Sequence, residues 1–157
     1  MSLVKKILSG LLIAFVTIQF IQPFRNKTDK VLPTDIQKTV AVPDNVLAVL
    51  KNSCYDCHSN NTRYPWYSFI QPGAWLMASH ISKGKADLNF SEFGIYSNRR
   101  QQNKLQAIAN SIADETMPLR SYTLLHKNAK LSTADKAVLF DWIKAIKDSD
   151  SVKNKLK

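Results

Sequence analysis

Cysteine is nearly missing from this 157-residue chain: the only two, Cys54 and Cys57, cannot build a disulfide scaffold. Four glycines and six prolines exclude collagen-like and low-complexity architectures, and the absence of any internal repeat excludes solenoids and propellers. Acidic residues are in the minority, 12 against 22 Lys and Arg, for a formal charge of +10. That balance favours an acidic protein, anionic lipid or nucleic acid as partner and does not choose among them. With 45% hydrophobic and 22% charged residues the chain is neither compositionally disordered nor a multi-span membrane protein, and its length allows one globular domain.

Only one long apolar run is present. Behind Lys5 and Lys6, residues Ile7 to Phe24 carry no charge, and as a helix these 18 residues would extend roughly 27 Å, just enough for a bilayer core. A secretory signal has the same order of basic and apolar regions, but Thr17 to Pro23 shows no small-x-small cleavage site. The run is apolar all round and Pro23 ends it, which disfavours a buried core helix. The expectation is an uncleaved N-terminal transmembrane helix over residues 1–24. Residues 25–42, polar and without apolar periodicity, read as a linker; 43–147 as the domain; 148–157 as a polar tail.

Within the domain four helices are expected. The first starts near Asp44, carries Val46, Leu47 and Leu50, and delivers Cys54 at its end. Gln71-Pro72-Gly73 opens the second, which Gly84 is placed to stop. Ser97 caps the third, with Leu105, Ile108, Ala109 and Ile112 as its stripe and Pro118 beyond its end. Ser132 and Asp135 form a capping box for the fourth, whose apolar face is Val138, Leu139, Trp142, Ile143 and Ile146. Strand signals are few, so the fold class is all-α.

The chemistry lies in Cys54-Tyr55-Asp56-Cys57-His58. Two thiols three positions apart reach the two vinyl groups on one edge of a porphyrin, and the histidine that follows ligates iron, so the run reads as a covalent haem c site. A thioredoxin-type pair would need a strand before it, and a zinc site would have to recruit His80 or His126; a plain disulfide is the bland alternative. Haem c is attached outside the bacterial cytoplasm, which orients the anchor with its domain in the periplasm, on the inner membrane. For the sixth iron ligand, Met117 is best placed, in a loop beyond the third helix with Pro118 behind it. His80 on the second helix is the runner-up; Met77 points about 60° away from it, and His126 is expected at the surface or hydrogen-bonded. The aromatics Tyr64, Trp66, Tyr67, Phe69 and Trp75 offer walls for a porphyrin, and Arg63, Arg120 or Asn60 a partner for a propionate.

From about Asn52 to Ile143 the chain resembles a family of small bacterial haem-binding domain proteins. The resemblance rests on Asn52-Ser53-Cys54-Tyr55-Asp56-Cys57-His58-Ser59-Asn60-Asn61-Thr62, Pro65-Trp66-Tyr67, Pro72, Trp75, His80-Ile81, Asn89-Phe90-Ser91, Met117-Pro118-Leu119, Tyr122, Leu131-Ser132 and Trp142. It implies haem c binding through Cys54, Cys57 and His58 and assigns no activity. More distantly the layout looks like a class I cytochrome c, which implies Met117 as distal ligand and a crossing of the first and last domain helices. The glycine that eases such a crossing is absent near Val46 to Leu50, and His80 has no cytochrome counterpart.

The function expected is that of a monohaem c-type cytochrome, an electron carrier and not an enzyme. Seventeen basic against 11 acidic residues from Val31 onward leave the domain positive, so an acidic redox partner is expected at the haem edge and nucleic acid is not. The alternative is a haem sensor or catalytic haem with an open sixth site.

Overall fold

The computed structural model of the protein describes residues 2–28 and 30–155. Every regular element is helical: α1 (Leu3–Ile18), α2 (Ile36–Thr39), α3 (Asp44–Ser53), α4 (Tyr55–His58), α5 (Gly73–Asp87), α6 (Asn98–Ala113), α7 (Arg120–Leu125) and α8 (Thr133–Lys155). Short 3₁₀ turns occupy Trp66–Phe69, Phe90–Ile95 and Lys127–Ala129. The all-α expectation holds, with no strand among the described residues.

The four expected domain helices are α3, α5, α6 and α8. Ser97 Oγ accepts from Arg100 N–H at 3.4 Å at the start of α6. At α8, Ser132 N–H and Oγ–H both donate to Asp135 Oδ2 (2.9 and 2.7 Å), while Asp135 N–H donates to Ser132 Oγ at 3.1 Å, a complete capping box. The backbone of α8 continues as helix to Lys155, through the segment expected as a polar tail.

The core lies where α3 and α6 pack on α8: Val46 and Leu50, Leu105 and Ile112, and Leu139, Trp142, Ile143 and Ile146 are all buried. Phe90 and Phe93 join this cluster from the 3₁₀ turn after α5. Trp142 Nε1–H donates to Ala41 O at 2.9 Å, so the one polar atom of that ring is satisfied as it is buried.

The membrane expectation is overturned. No helix among the described residues is long and apolar enough to cross a membrane. The uncharged run does not form one helix: α1 ends at Ile18 after 16 residues, about 24 Å, and its first turn contains Lys5 and Lys6. Beyond Ile18 the polar groups of the run are taken up by the domain. Gln19 Oε1 accepts from Gln71 N–H at 2.9 Å, and Ile21 O accepts from Gln71 Nε2 (2.7 Å) and Trp75 Nε1 (3.0 Å). At Ile21 O these two donors take the place of the backbone N–H that a continued helix would have supplied. The N-terminal transmembrane helix, and with it the inner-membrane anchoring, are therefore not supported.

Residues 25–42 are held against the domain. Asn26 Nδ2 donates to Ser59 O and Thr62 Oγ1, Ile36 is fully buried, and Asp35 caps α2 by accepting from Gln37 N–H. Gly94 N–H donates to Thr34 O at 2.8 Å, and a Cβ on Gly94 would lie 2.4 Å from Thr39 Cγ2, so only glycine lets this segment close on the turn.

Candidate functional site

Cys54 breaks the path between α3 and α4. Its N–H still donates to Leu50 O at 2.9 Å, but its φ of −126° leaves the helical region, and α4 starts afresh at Tyr55. The short α4 is fixed from three sides. Tyr55 O–H donates to Asp35 Oδ1 at 3.0 Å, and its ring stacks on Phe90 with centroids 5.1 Å apart. Asp56, buried, accepts from Arg63 N, Nε and Nη2 at 3.0 to 3.2 Å and from Tyr122 O–H at 2.6 Å. Gly84 of α5 touches Cys57: a Cβ there would stand 2.7 Å from Cys57 O.

Gly84 was expected to stop the second helix, yet α5 runs on to Asp87. What the glycine provides is the close approach of α5 to the haem-motif helix.

His58 Nδ1 lies 3.1 Å from Leu88 O. A carbonyl only accepts, so this contact requires the proton on Nδ1 and leaves the Nε2 lone pair free for a metal, the second-sphere arrangement of a ligating histidine. The His58 ring also packs edge-on to Phe90. The loop after the motif is latched in turn: Asn60 N–H donates to Ser91 Oγ, Asn60 Nδ2 to Glu92 Oε1, and Asn89 Nδ2 to Asn60 Oδ1.

Cys54 and His58 line one apolar cleft, and Met117 lines it too. The cleft has a volume of about 160 Å³, with Leu88, Phe90, Ile108, Ile112 and Leu131 as its apolar walls and Lys104 as its one cation. Met117 is brought there by the turn that ends α6. Glu115 adopts a left-handed φ of 54°, Thr116 N–H and Met117 N–H both donate to Ser111 O (3.0 and 3.2 Å), and the Met117–Pro118 peptide is cis. The Met117 side chain stays 38% exposed.

Other expected residues lie elsewhere. Cys57 is on α4 beside Gly84 and is not among the residues lining the cleft. His80 is half-buried on α5 and Met77 is buried there; neither lines the cleft. His126 is hydrogen-bonded, its Nε2 lying 2.5 Å from Tyr67 Oη with the ring stacked on Tyr122. None of the aromatics expected as porphyrin walls lines the cleft. Trp75 is tied to Ile21 O, and Tyr64 and Phe69 hold the Arg25 guanidinium over their faces. Arg63 is committed to Asp56 and Asn60 to Glu92 and Asn89, while Lys104, absent from the propionate candidates, is at the cleft.

Burial, and then the neighbouring Cys57, pushes the Cys54 thiol up to about 12; burial, and then Asp56, pushes Cys57 up to about 11. Both stay protonated thiols, unlike the low-pKa thiolate of a disulfide-exchange pair. Among the described residues no group of three His, Cys, Asp or Glu side chains is placed to hold a metal ion. One thiol, Cys54, an imidazole with Nε2 unengaged and the Met117 thioether line the same apolar cleft, donors of the kind a haem takes, while the second thiol of the motif, Cys57, stands off that lining.

Residues 13–145 match the model of a family described as Haem-binding domain, most of the length of the chain. No characterised protein and no solved structure matches.

Proposed function

We propose that this chain, which belongs to the haem-binding domain family, carries one haem c and uses it for one-electron transfer. Haem binding is the family's property. The finer reading is carried by one observation: the cleft that holds Cys54 and Met117 also receives His58, whose Nδ1 is engaged by Leu88 O.

In this reading Cys54 and Cys57 would hold the haem as thioethers, each thiol adding across one vinyl group, while His58, through Nε2, and Met117, through its thioether, would ligate the iron. The bound haem supplies a ferric/ferrous couple. Leu88 O keeps the His58 proton on Nδ1 and fixes the ring plane. Leu88, Phe90, Ile108, Ile112 and Leu131 keep water from the cleft, and Lys104 offers a charge partner to a propionate. A His/Met pair raises the potential relative to bis-His ligation. Because haem c is attached outside the bacterial cytoplasm, electron transfer is placed on the periplasmic side, with an acidic redox protein as partner and no substrate turned over.

The test is spectroscopic. With haem loaded by an attachment system, Met117→Ala is expected to abolish the weak Met-to-ferric-iron band, lower the reduction potential and open the iron to carbon monoxide, since a soft thioether favours ferrous iron. His80→Ala is expected to change neither. The reverse pattern moves the ligand to α5. Rapid carbon monoxide binding by the wild type, unaltered by either change, replaces electron transfer with a ligand-binding or catalytic haem.

A further inference from the structure

A groove of about 440 Å³ lies against the cleft that holds His58, and three residues, Met117, Pro118 and Leu131, line both. These three residues form the wall that the two share. The groove is otherwise bounded by Arg120, Lys130 and Lys136, by Thr123 and the 77%-exposed Leu124, and by a single acid, Glu115. That acid is already spent internally: Lys136 Nζ donates to Glu115 Oε1 at 2.7 Å. Lys136 first, with Arg120 and Lys130 adding, holds the Glu115 carboxyl below the ordinary range, which places all three cations around one spot. Arg120 and Lys130 are exposed and enter no ion pair among the described residues.

We propose that this groove is the docking surface for an acidic one-electron protein, with Met117, Pro118, Leu124 and Leu131 as its apolar centre and Arg120, Lys130 and Lys136 as its basic rim. The charge selects the occupant. A second copy of this chain also carries +10 and would be repelled, whereas an acidic surface is drawn in and oriented. The apolar centre sets the docked redox group against the wall shared with the haem cleft. Charge at the rim governs the rate of encounter and its salt dependence. The inference rests on the electron-transfer reading and assigns that reading a surface.

The experiment uses the full chain loaded with haem. Reduced acidic [2Fe–2S] ferredoxin passes one electron to the ferric protein, giving oxidised ferredoxin and ferrous haem. In separate runs hexacyanoferrate(III) or a tris-phenanthroline cobalt(III) cation takes one electron from the ferrous protein, each oxidant being reduced by one. Stopped-flow rates are followed against ionic strength for wild type, for Arg120→Glu with Lys130→Glu, and for Lys144→Glu on the exposed face of α8. The double reversal should slow the ferredoxin and hexacyanoferrate reactions roughly ten-fold at low salt, speed the cobalt reaction, and lose these differences at high salt. Lys144→Glu should leave all rates within about two-fold. Circular dichroism confirms that the variants fold. Rates that ignore the double reversal, or respond equally to Lys144→Glu, overturn the surface and leave electron transfer standing. So does a monomer–dimer equilibrium lost on the same reversal, which would give the groove to a second copy. Wild-type protein that exchanges electrons with none of the three probes overturns the electron-transfer reading itself.

Discussion

At the scale of single residues, Gly84 and Asp56 do the most to place the haem motif, and both make sharp predictions. Gly84→Ala puts a Cβ 2.7 Å from a backbone oxygen that cannot rotate away, so α5 must back off from α4. A loss of about 1–3 kcal/mol in urea unfolding is expected. Gly10, with nothing within 4 Å, serves as the control: Gly10→Ala should cost nothing. Asp56→Ala strips the acceptor from Arg63 and from the half-buried Tyr122 hydroxyl and should cost about 2 kcal/mol, whereas Tyr122→Phe removes one bond and should cost about 1 kcal/mol. Equal losses from the two would contradict a network centred on Asp56. The run from Cys54 to His58 stands out in the sequence because its spacing is the one that covalent haem attachment would demand. Asp56, Phe90 and Lys104 were not, since their roles depend on partners brought from 7 to 66 positions away, such as Arg63 and Tyr122 for Asp56.

At the scale of elements, apolar periodicity and capping chemistry located α3, α5, α6 and α8. The capping box of α8 is a local device and so was readable in sequence. Ser132 side-chain and backbone hydrogen bonds hold the Asp135 carboxyl below its ordinary range. A carboxyl lowered on folding stabilises above its unfolded value, and that contribution fades as pH falls through the lowered folded value. Asp135→Ala should therefore lower stability by about 1 kcal/mol at neutral pH, with the gap to wild type closing in acid. A gap constant with pH would contradict the assignment. The short α2, α4 and α7 escaped notice because a helix of four to six residues carries no measurable period. The N-terminal run misled for the opposite reason. Eighteen uncharged residues look alike whether they form one span or a shorter helix and a docked strand of chain, and the distinction rested on Gln19 and on Ile21 O finding Gln71 and Trp75 some 50 positions later.

At the scale of the whole molecule, a small helical core supports two faces. One is the apolar cleft that Cys54, His58 and Met117 line; the other is a larger, open cleft of about 580 Å³, lined by Asp56, Arg63, Tyr122 and His126, that shares no lining residue with the first. The motif helix runs between them, so its apolar-side residues are free for a cofactor while Asp56 anchors it to the polar side. Part of the positive charge read from composition gathers at one groove, where Arg120, Lys130 and Lys136 stand beside Met117. The central claim is covalent attachment of one haem to Cys54 and Cys57, and the most direct measurement is the intact mass of protein matured with a haem-attachment system, followed by acid-acetone extraction. The expected result is a mass raised by one haem, colour that stays with the polypeptide, and loss of both when Cys54 and Cys57 are replaced by Ala. Haem that extracts freely from the wild type, or a mass equal to that of the bare chain, would contradict it.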